Sequence, residues 1–129
     1  MEIRDLQPSE IEMARRFLRA QGWEHRIGDA AECSRLIANT QRTAVAIIDG
    51  EIVGFARAIT DGISNGYLSM VAVAAGFRRR GIGRALVTHI MGSDRSITWV
   101  LRAGREGAGA FFSKLGFVVS SVAMERVRE

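Results

Sequence analysis

Arg78-Arg79-Arg80-Gly81-Ile82-Gly83-Arg84 is the stretch that decides the fold. An apolar, strand-like run over 67–74 precedes it, and a helix-like run over 81–91 begins inside it. Strand, glycine-rich turn and helix together form a layout that holds phosphate. The first N–H groups of a helix lack intrahelical partners and point outward. The helix dipole adds partial positive charge at the same end, so anions bind there, and glycines let them approach the backbone. Arg78, Arg79, Arg80 and Arg84 supply guanidinium groups that pair well with phosphate oxygens.

Two common phosphate loops do not fit. A nucleotide P-loop ends in Gly-Lys-Ser/Thr, a triplet absent from this chain. A dinucleotide fingerprint needs a third glycine where Leu86 stands. The pattern Arg/Gln-x-x-Gly-x-Gly/Ala is met by Arg78, Gly81 and Gly83. A second stretch, Ala108-Gly109-Ala110-Phe111-Phe112-Ser113-Lys114-Leu115-Gly116-Phe117, matches Ala-x-x-x-Tyr-x-x-x-Gly-Phe except at the tyrosine. Through these two stretches, and through element order over nearly the whole chain, the sequence resembles the GNAT superfamily of acyl-CoA N-acyltransferases.

The bulk numbers agree with a small ligand-binding domain. A chain of 129 residues is expected to form one domain, 1–129. With 47% hydrophobic residues it can build a core that buries roughly two-thirds of its unfolded surface. The net charge of +4 suits an anionic ligand without naming it. Nucleic acid is disfavoured, because basic residues are spread along the chain and aromatics do not alternate with the arginine cluster. Cys33 is the single cysteine, which excludes an internal disulfide and is consistent with a reducing cytoplasm. With histidines only at 25 and 89, the sequence speaks against a metal site. The opening Met1-Glu2-Ile3-Arg4-Asp5 lacks the apolar core of a signal peptide, and no apolar run approaches the about 20 residues that span a bilayer.

Periodicity divides the chain into ten elements. Residues 2–6 read as a strand and 8–21 as a helix with Ile11, Ala14, Phe17 and Leu18 on one face and Gly22 as its stop. Residues 29–40 read as a second helix, with Cys33 on its apolar stripe as a core residue. Asp49-Gly50 between two β-rich runs, 43–48 and 51–60, predicts a type I′ hairpin. In the strand 67–74, Leu68, Met70, Ala72 and Ala74 are expected on one side and Tyr67, Ser69, Val71 and Val73 on the other. A helix over 81–91, a strand over 97–101, a helix over 106–115 and a last strand from 117 to 122 or 126 complete the order. The fold class is α/β: an antiparallel meander followed by βαβ crossovers, forming one mixed sheet with helices on both faces. The resemblance implies the same order, with two central strands splayed to admit a pantetheine arm.

The resemblance also implies a site. The strand edge at Val71, Ala72 and Val73 offers backbone groups to pantetheine, a ligand version of β-augmentation. Arg78, Arg79, Arg80, Gly81, Ile82, Gly83 and Arg84 cradle pyrophosphate, with Gly81 and Gly83 least tolerant of a side chain. Arg78 either caps its own turn or meets the 3′-phosphate. Acetyl-CoA is the implied co-substrate, and the reaction is direct attack by an acceptor amine on the thioester. That chemistry calls for a base on the amine and a donor for the thiolate. Where many relatives carry a donor tyrosine, this chain has Phe112. Candidates for the missing groups are Ser69, Tyr67, Glu106 and Ser113. On the acceptor side, Trp23, Glu24 and Asp61 are candidates to meet a cationic amine, with His25 as a weaker base. Arg102 and Arg105, if they face the cleft, favour an acceptor carrying a carboxylate or phosphate.

The leading expectation is therefore an acetyl-CoA-dependent N-acetyltransferase acting on a small-molecule or peptide amine. An acyl-CoA-binding module without turnover is the alternative, motivated by Phe112. Neither nucleic acid nor membrane is expected as a partner, and a homodimer through the last strand is open. Acyl chain length and the acceptor also stay open.

Overall fold

The computed structural model describes residues 1–129. Five strands form one sheet in the order β1 (Glu2–Arg4), β2 (Arg42–Ile48), β3 (Glu51–Thr60), β4 (Asn65–Val73) and β5 (Thr98–Val100). The first four are antiparallel neighbours, and β5 joins β4 in parallel. Helices α1 (Ile11–Ala20), α2 (Glu24–Ile27) and α3 (Ala30–Ala38) connect β1 to β2. Helix α4 (Ile82–Met91) is the crossover from β4 to β5, and α5 (Ala108–Ser113) follows β5.

Local chemistry explains most boundaries. A 3-10 turn at Pro8–Glu10 starts the first helical segment, and Gly22 ends it at φ +87°. Asp29 caps α3 by accepting the Glu32 N–H at 2.9 Å, while Glu32 Oε1 accepts the Asp29 N–H at 3.1 Å. Asp49 and Gly50 both take positive φ, 51° and 76°, as a type I′ turn requires. Arg42 donates from Nη1 to the Ile90 carbonyl at 2.9 Å, closing the C-terminal end of α4, and lies over the Trp99 ring.

The sheet separates two cores. Ala44, Ala46, Val53, Ala56 and Leu68 pack against Ile82, Leu86 and Ile90 of α4 and Phe112 of α5. On the other face, Val45, Ile52, Phe55 and Met70 pack against Phe17, Leu18 and Cys33 of the α1–α3 layer. Helices thus cover both faces, as expected. Cys33 is fully buried, and burial pushes its thiol pKa up, so it is a core residue.

The structure corrects the expected faces of β4. From Arg57↔Ser69 to Phe55↔Ala72, β4 advances three residues while β3 advances two. This is a β-bulge, and Met70 sits in it at φ +56°. The extra residue inverts the alternation. Leu68 faces α4, but Met70, Ala72 and Ala74 face the α1–α3 layer, while Val71 and Val73 turn to the α4 side.

The expected last strand is absent. After Gly116, at φ +95°, residues 117–129 form no ladder. Ser120 Oγ accepts the N–H groups of Val122 and Ala123 at 3.1 and 2.8 Å. That local turn takes the donors a ladder would need. Only one βαβ crossover forms, and Val118, Val119, Val122 and Met124 are left exposed. The last helix is also shorter than expected, starting at Ala108 because Gly107 takes φ +80°.

Two predictions follow from these contacts. A Cβ at Gly83 would lie 2.9 Å from Phe111 Cζ, so α4 and α5 touch through the missing side chain. Alanine in place of a helical glycine gains roughly 1 kcal/mol, whereas overpacking loses typically about 1–3 kcal/mol. Gly83→Ala should therefore lower stability in the wild-type background and be neutral or stabilising beside Phe111→Leu, as read by urea titration. The second concerns acid. Arg4 grips the Glu10 carboxylate with two hydrogen bonds, 2.7 and 2.6 Å, and the Gln7 N–H adds a third at 2.9 Å. These partners hold the Glu10 pKa down at about 2. A depressed folded-state pKa gives stability that is present above the ordinary carboxylate value and lost as pH falls through the folded one. The melting temperature should fall from about pH 4.5 toward pH 2, and Glu10→Gln should flatten that part of the curve.

Candidate functional site

β4 and β5 pair only at Asn65↔Thr98, Gly66↔Trp99 and Tyr67↔Val100. β4 continues to Val73, so its far half has no neighbour on that side. Backbone groups alternate along a strand. The Ala74 N–H donates to the Val53 carbonyl of β3 at 2.9 Å. Ala72, two residues earlier, therefore also addresses β3, while Val71 and Val73 address the open edge. Arg78 Nε donates to the Val73 carbonyl at 3.1 Å, which fits that direction. The open edge is left with the Val71 N–H and C=O and the Val73 N–H. Of the three expected strand positions, Ala72 is turned away.

The arginine-glycine turn lies at the end of the same edge. A 3-10 turn at Ala75–Phe77 follows β4, and Arg79 takes φ +64°. Gly81, at φ +79°, is the N-cap of α4, and nothing lies within 4 Å of where its Cβ would be. Its glycine is needed for conformation. Gly83 is different, since it faces Phe111 rather than open space. Ile82 is buried in the α4 core, so only its backbone can serve a ligand. Arg78 caps its own turn. Arg80 lies over the Phe77 ring, and Arg84 donates to the Lys114 carbonyl at 3.3 Å. The helix N-terminus thus points its free N–H groups outward amid four arginines, an arrangement for a phosphate-bearing ligand.

Tyr67 and Ser69 precede the bulge and, by alternation with Gly66 and Leu68, face the α1–α3 layer. Both are half-buried. Trp23 is half-buried in the same layer, and the Arg105 guanidinium stacks 3.9 Å over its ring. Trp23 Nε1 is buried without a partner. Glu24 and His25, at the start of α2, are exposed. Glu106 is exposed ahead of the α5 N-cap, and Ser113 is exposed at its end. Asp61 serves its own loop: Oδ1 accepts the N–H groups of Ile63, Ser64 and Asn65, and Oδ2 accepts the Ser64 hydroxyl. These donors hold its pKa well below the usual carboxylate range. Arg102 is paired with Glu125 at 2.7 Å. Phe112 lies in the core, edge-to-face with Phe111 and Phe117.

Sequence reasoning missed Arg57. It is only 6% exposed, on β3 opposite Ser69, and its Nε donates to Thr40 Oγ1 at 2.9 Å. Its signal was a lone arginine inside an apolar strand. A cavity of about 910 Å³ lies away from the arginine-glycine turn, among Tyr67, Leu101, Phe112, Phe117 and Met124. Residues of the C-terminal segment form much of its wall. No group of three or more His, Cys, Asp or Glu side chains is placed to hold a metal, and no helix is long and apolar enough to cross a membrane.

Known structures share this architecture. A probable acetyltransferase of unknown function from methicillin-resistant Staphylococcus aureus superposes with a TM-score of 0.79 at 18% identity, covering 99% of this chain and 98% of that one. An aminoglycoside acetyltransferase from an uncultured soil metagenomic sample gives 0.74 at 25% identity, over 99% and 98% of the two chains. AAC(6′)-Iy, in complex with the bisubstrate analogue CoA-S-monomethyl-acetylneamine, gives 0.74 at 21% identity, over 98% and 97%. No curated protein sequence matches the chain. The acetyltransferase (GNAT) domain family model matches residues 39–119, which hold β2 to β5, the open edge and the turn, and the chain belongs to that family.

Proposed function

We propose that this protein transfers an acetyl group from acetyl-CoA to the amine of an acceptor. The observation that carries the reading is the continuity of the open β4 edge with the arginine-ringed N-terminus of α4. A ligand with amides at one end and a pyrophosphate at the other matches that order. The Val71 N–H and C=O and the Val73 N–H would hold the pantetheine amides. The free N–H groups at the start of α4 would take the pyrophosphate, with Arg79, Arg80 and Arg84 adding charge. Bound acetyl-CoA supplies an activated thioester. Overall, a nitrogen–carbon bond forms, the carbon–sulfur bond breaks, and one proton passes from nitrogen to sulfur.

Tyr67 and Ser69 are the side chains best placed on the acceptor face to carry that proton. Phe112 has no proton to give. Much of the rate would then come from holding the two reactants together. Asp61 is a poorer acceptor ligand than Trp23, because its oxygens already serve its own turn. Phe112 in the core also favours a second reading, a module that binds acyl-CoA without turnover.

One experiment tests both. Acetyl-CoA and CoA at about 100 times their dissociation constants should add roughly 2.7 kcal/mol of stability and raise the melting temperature by a few degrees. NAD and ATP should raise it less. Arg80→Glu with Arg84→Glu should weaken the effect, since both side chains are exposed and removable without touching the core. Failure of acetyl-CoA and CoA to stabilise folded protein would overturn the reading. Stabilisation without thiol release across an amine panel would favour the binding module.

A further inference from the structure

Arg57 is a charged group inside the protein with no charge to answer it. The side chain is more than nine-tenths buried, and no ion pair includes it. Its one hydrogen bond uses Nε, on Thr40 Oγ1 at 2.9 Å. Nη1 and Nη2 have no partner within the chain, yet neither is among the side-chain atoms sealed from solvent. Burial pushes the guanidinium pKa down, with the nearby Tyr67 working against that. A cation this deeply buried loses much of its hydration, and the one hydrogen bond to Thr40 offsets little of that loss. A leucine or methionine would fill the same space with no such loss. The arrangement has a physical purpose if an anion completes it.

The position says which anion. Arg57 pairs with Ser69 across the β3–β4 ladder, on the face that carries Tyr67. Toward the sheet interior this row meets Phe55 and the α1–α3 core. In the other direction it meets Ile59, which is 48% exposed, and Tyr67. The guanidinium thus stands at the border of the core and the open part of the acceptor face. Strand spacing of about 4.8 Å and a rise of about 3.3 Å per residue put its Cα roughly 8 Å from that of Val71. That backbone separation is within the span of one small molecule carrying an amine at the open edge and an anion toward Arg57, whose Nε is held at Thr40. With Nε already engaged, two Nη donors remain, and two parallel N–H groups match the two oxygens of a carboxylate. A single positive charge also balances a carboxylate, whereas a phosphate dianion would need a second cation there.

We infer that Arg57 receives the carboxylate of the acceptor, so that the acceptor class is amines bearing a free carboxylate, such as amino acids. This rests on the acetyl-transfer reading above and narrows it.

The test compares common L-amino acids, β-alanine and 4-aminobutyrate with their carboxamides, as acceptors with acetyl-CoA, by thiol release. Acetyl-CoA binding is measured separately. The carboxylate series should exceed the amide series in kcat/KM by roughly tenfold or more, the size of a charge-assisted pair. Arg57→Gln should remove that preference while leaving acetyl-CoA affinity and the circular dichroism spectrum unchanged. Arg57→Lys should restore part of it, which separates recognition from loss of fold. Equal rates for the two series, a preference for amides, or no reaction of the carboxylate series in protein that binds acetyl-CoA would each overturn the inference and leave the donor site standing. Loss of acetyl-CoA binding in wild-type protein would instead remove the acetyl-transfer reading beneath it.

Discussion

The parallel ladder between β4 and β5 stops at Tyr67 and Val100, while β4 runs on to Val73. Unpaired backbone groups inside a sheet would ordinarily be a liability. Here they are confined to one side of two residues, and the next segment turns at once into a helix N-terminus. The bulge at Met70 makes this geometry work. A methionine at φ +56° stores strain of order 1–3 kcal/mol, held in place by burial of its side chain among the α1–α3 core. In return, the residues beyond it exchange faces. Val71 and Val73 put their side chains into the α4 core and their backbone groups on the open edge. One irregularity thus ties core packing to the ligand edge.

The bulge also divides β4 in what it offers. Before it, Tyr67 and Ser69 face the α1–α3 layer. After it, only backbone is on offer. A ligand held by backbone amides and a helix N-terminus depends little on side-chain identity, which leaves the other face free to vary. The charged groups follow it too. Arg79, Arg80 and Arg84 are exposed around the N-terminus of α4, where each acts as a screened charge. Arg57 is buried, where one charge has a large effect and must be matched.

The arginine-glycine turn opening a helix, the hairpin at Asp49-Gly50 and the burial of Cys33 were legible because each rests on a short local pattern. The mixed sheet was legible from element order. Other features were not, for physical reasons. Alternation predicts faces only while pairing is regular, and no residue type announced a bulge at Met70. The stretch 117–126 reads as a strand by composition, but Ser120 offers its backbone a competing local bond. The motif did not show that the Cβ position of Gly83 is closed by Phe111, a contact between elements far apart in the chain. Asp61 looked free to meet a substrate, and its four donors all come from within its own loop.

Phe112 and Arg57 bear on the same question from opposite sides. Phe112, at the position where many relatives carry a donor tyrosine, packs edge-to-face with Phe111 and Phe117 and has no proton to give. The remaining hydroxyls near the open edge, Tyr67 and Ser69, both lie on the face that holds Arg57. The charge that would recognise the acceptor and the hydroxyls that would carry the proton therefore sit on one face, on facing strands of the β3–β4 ladder.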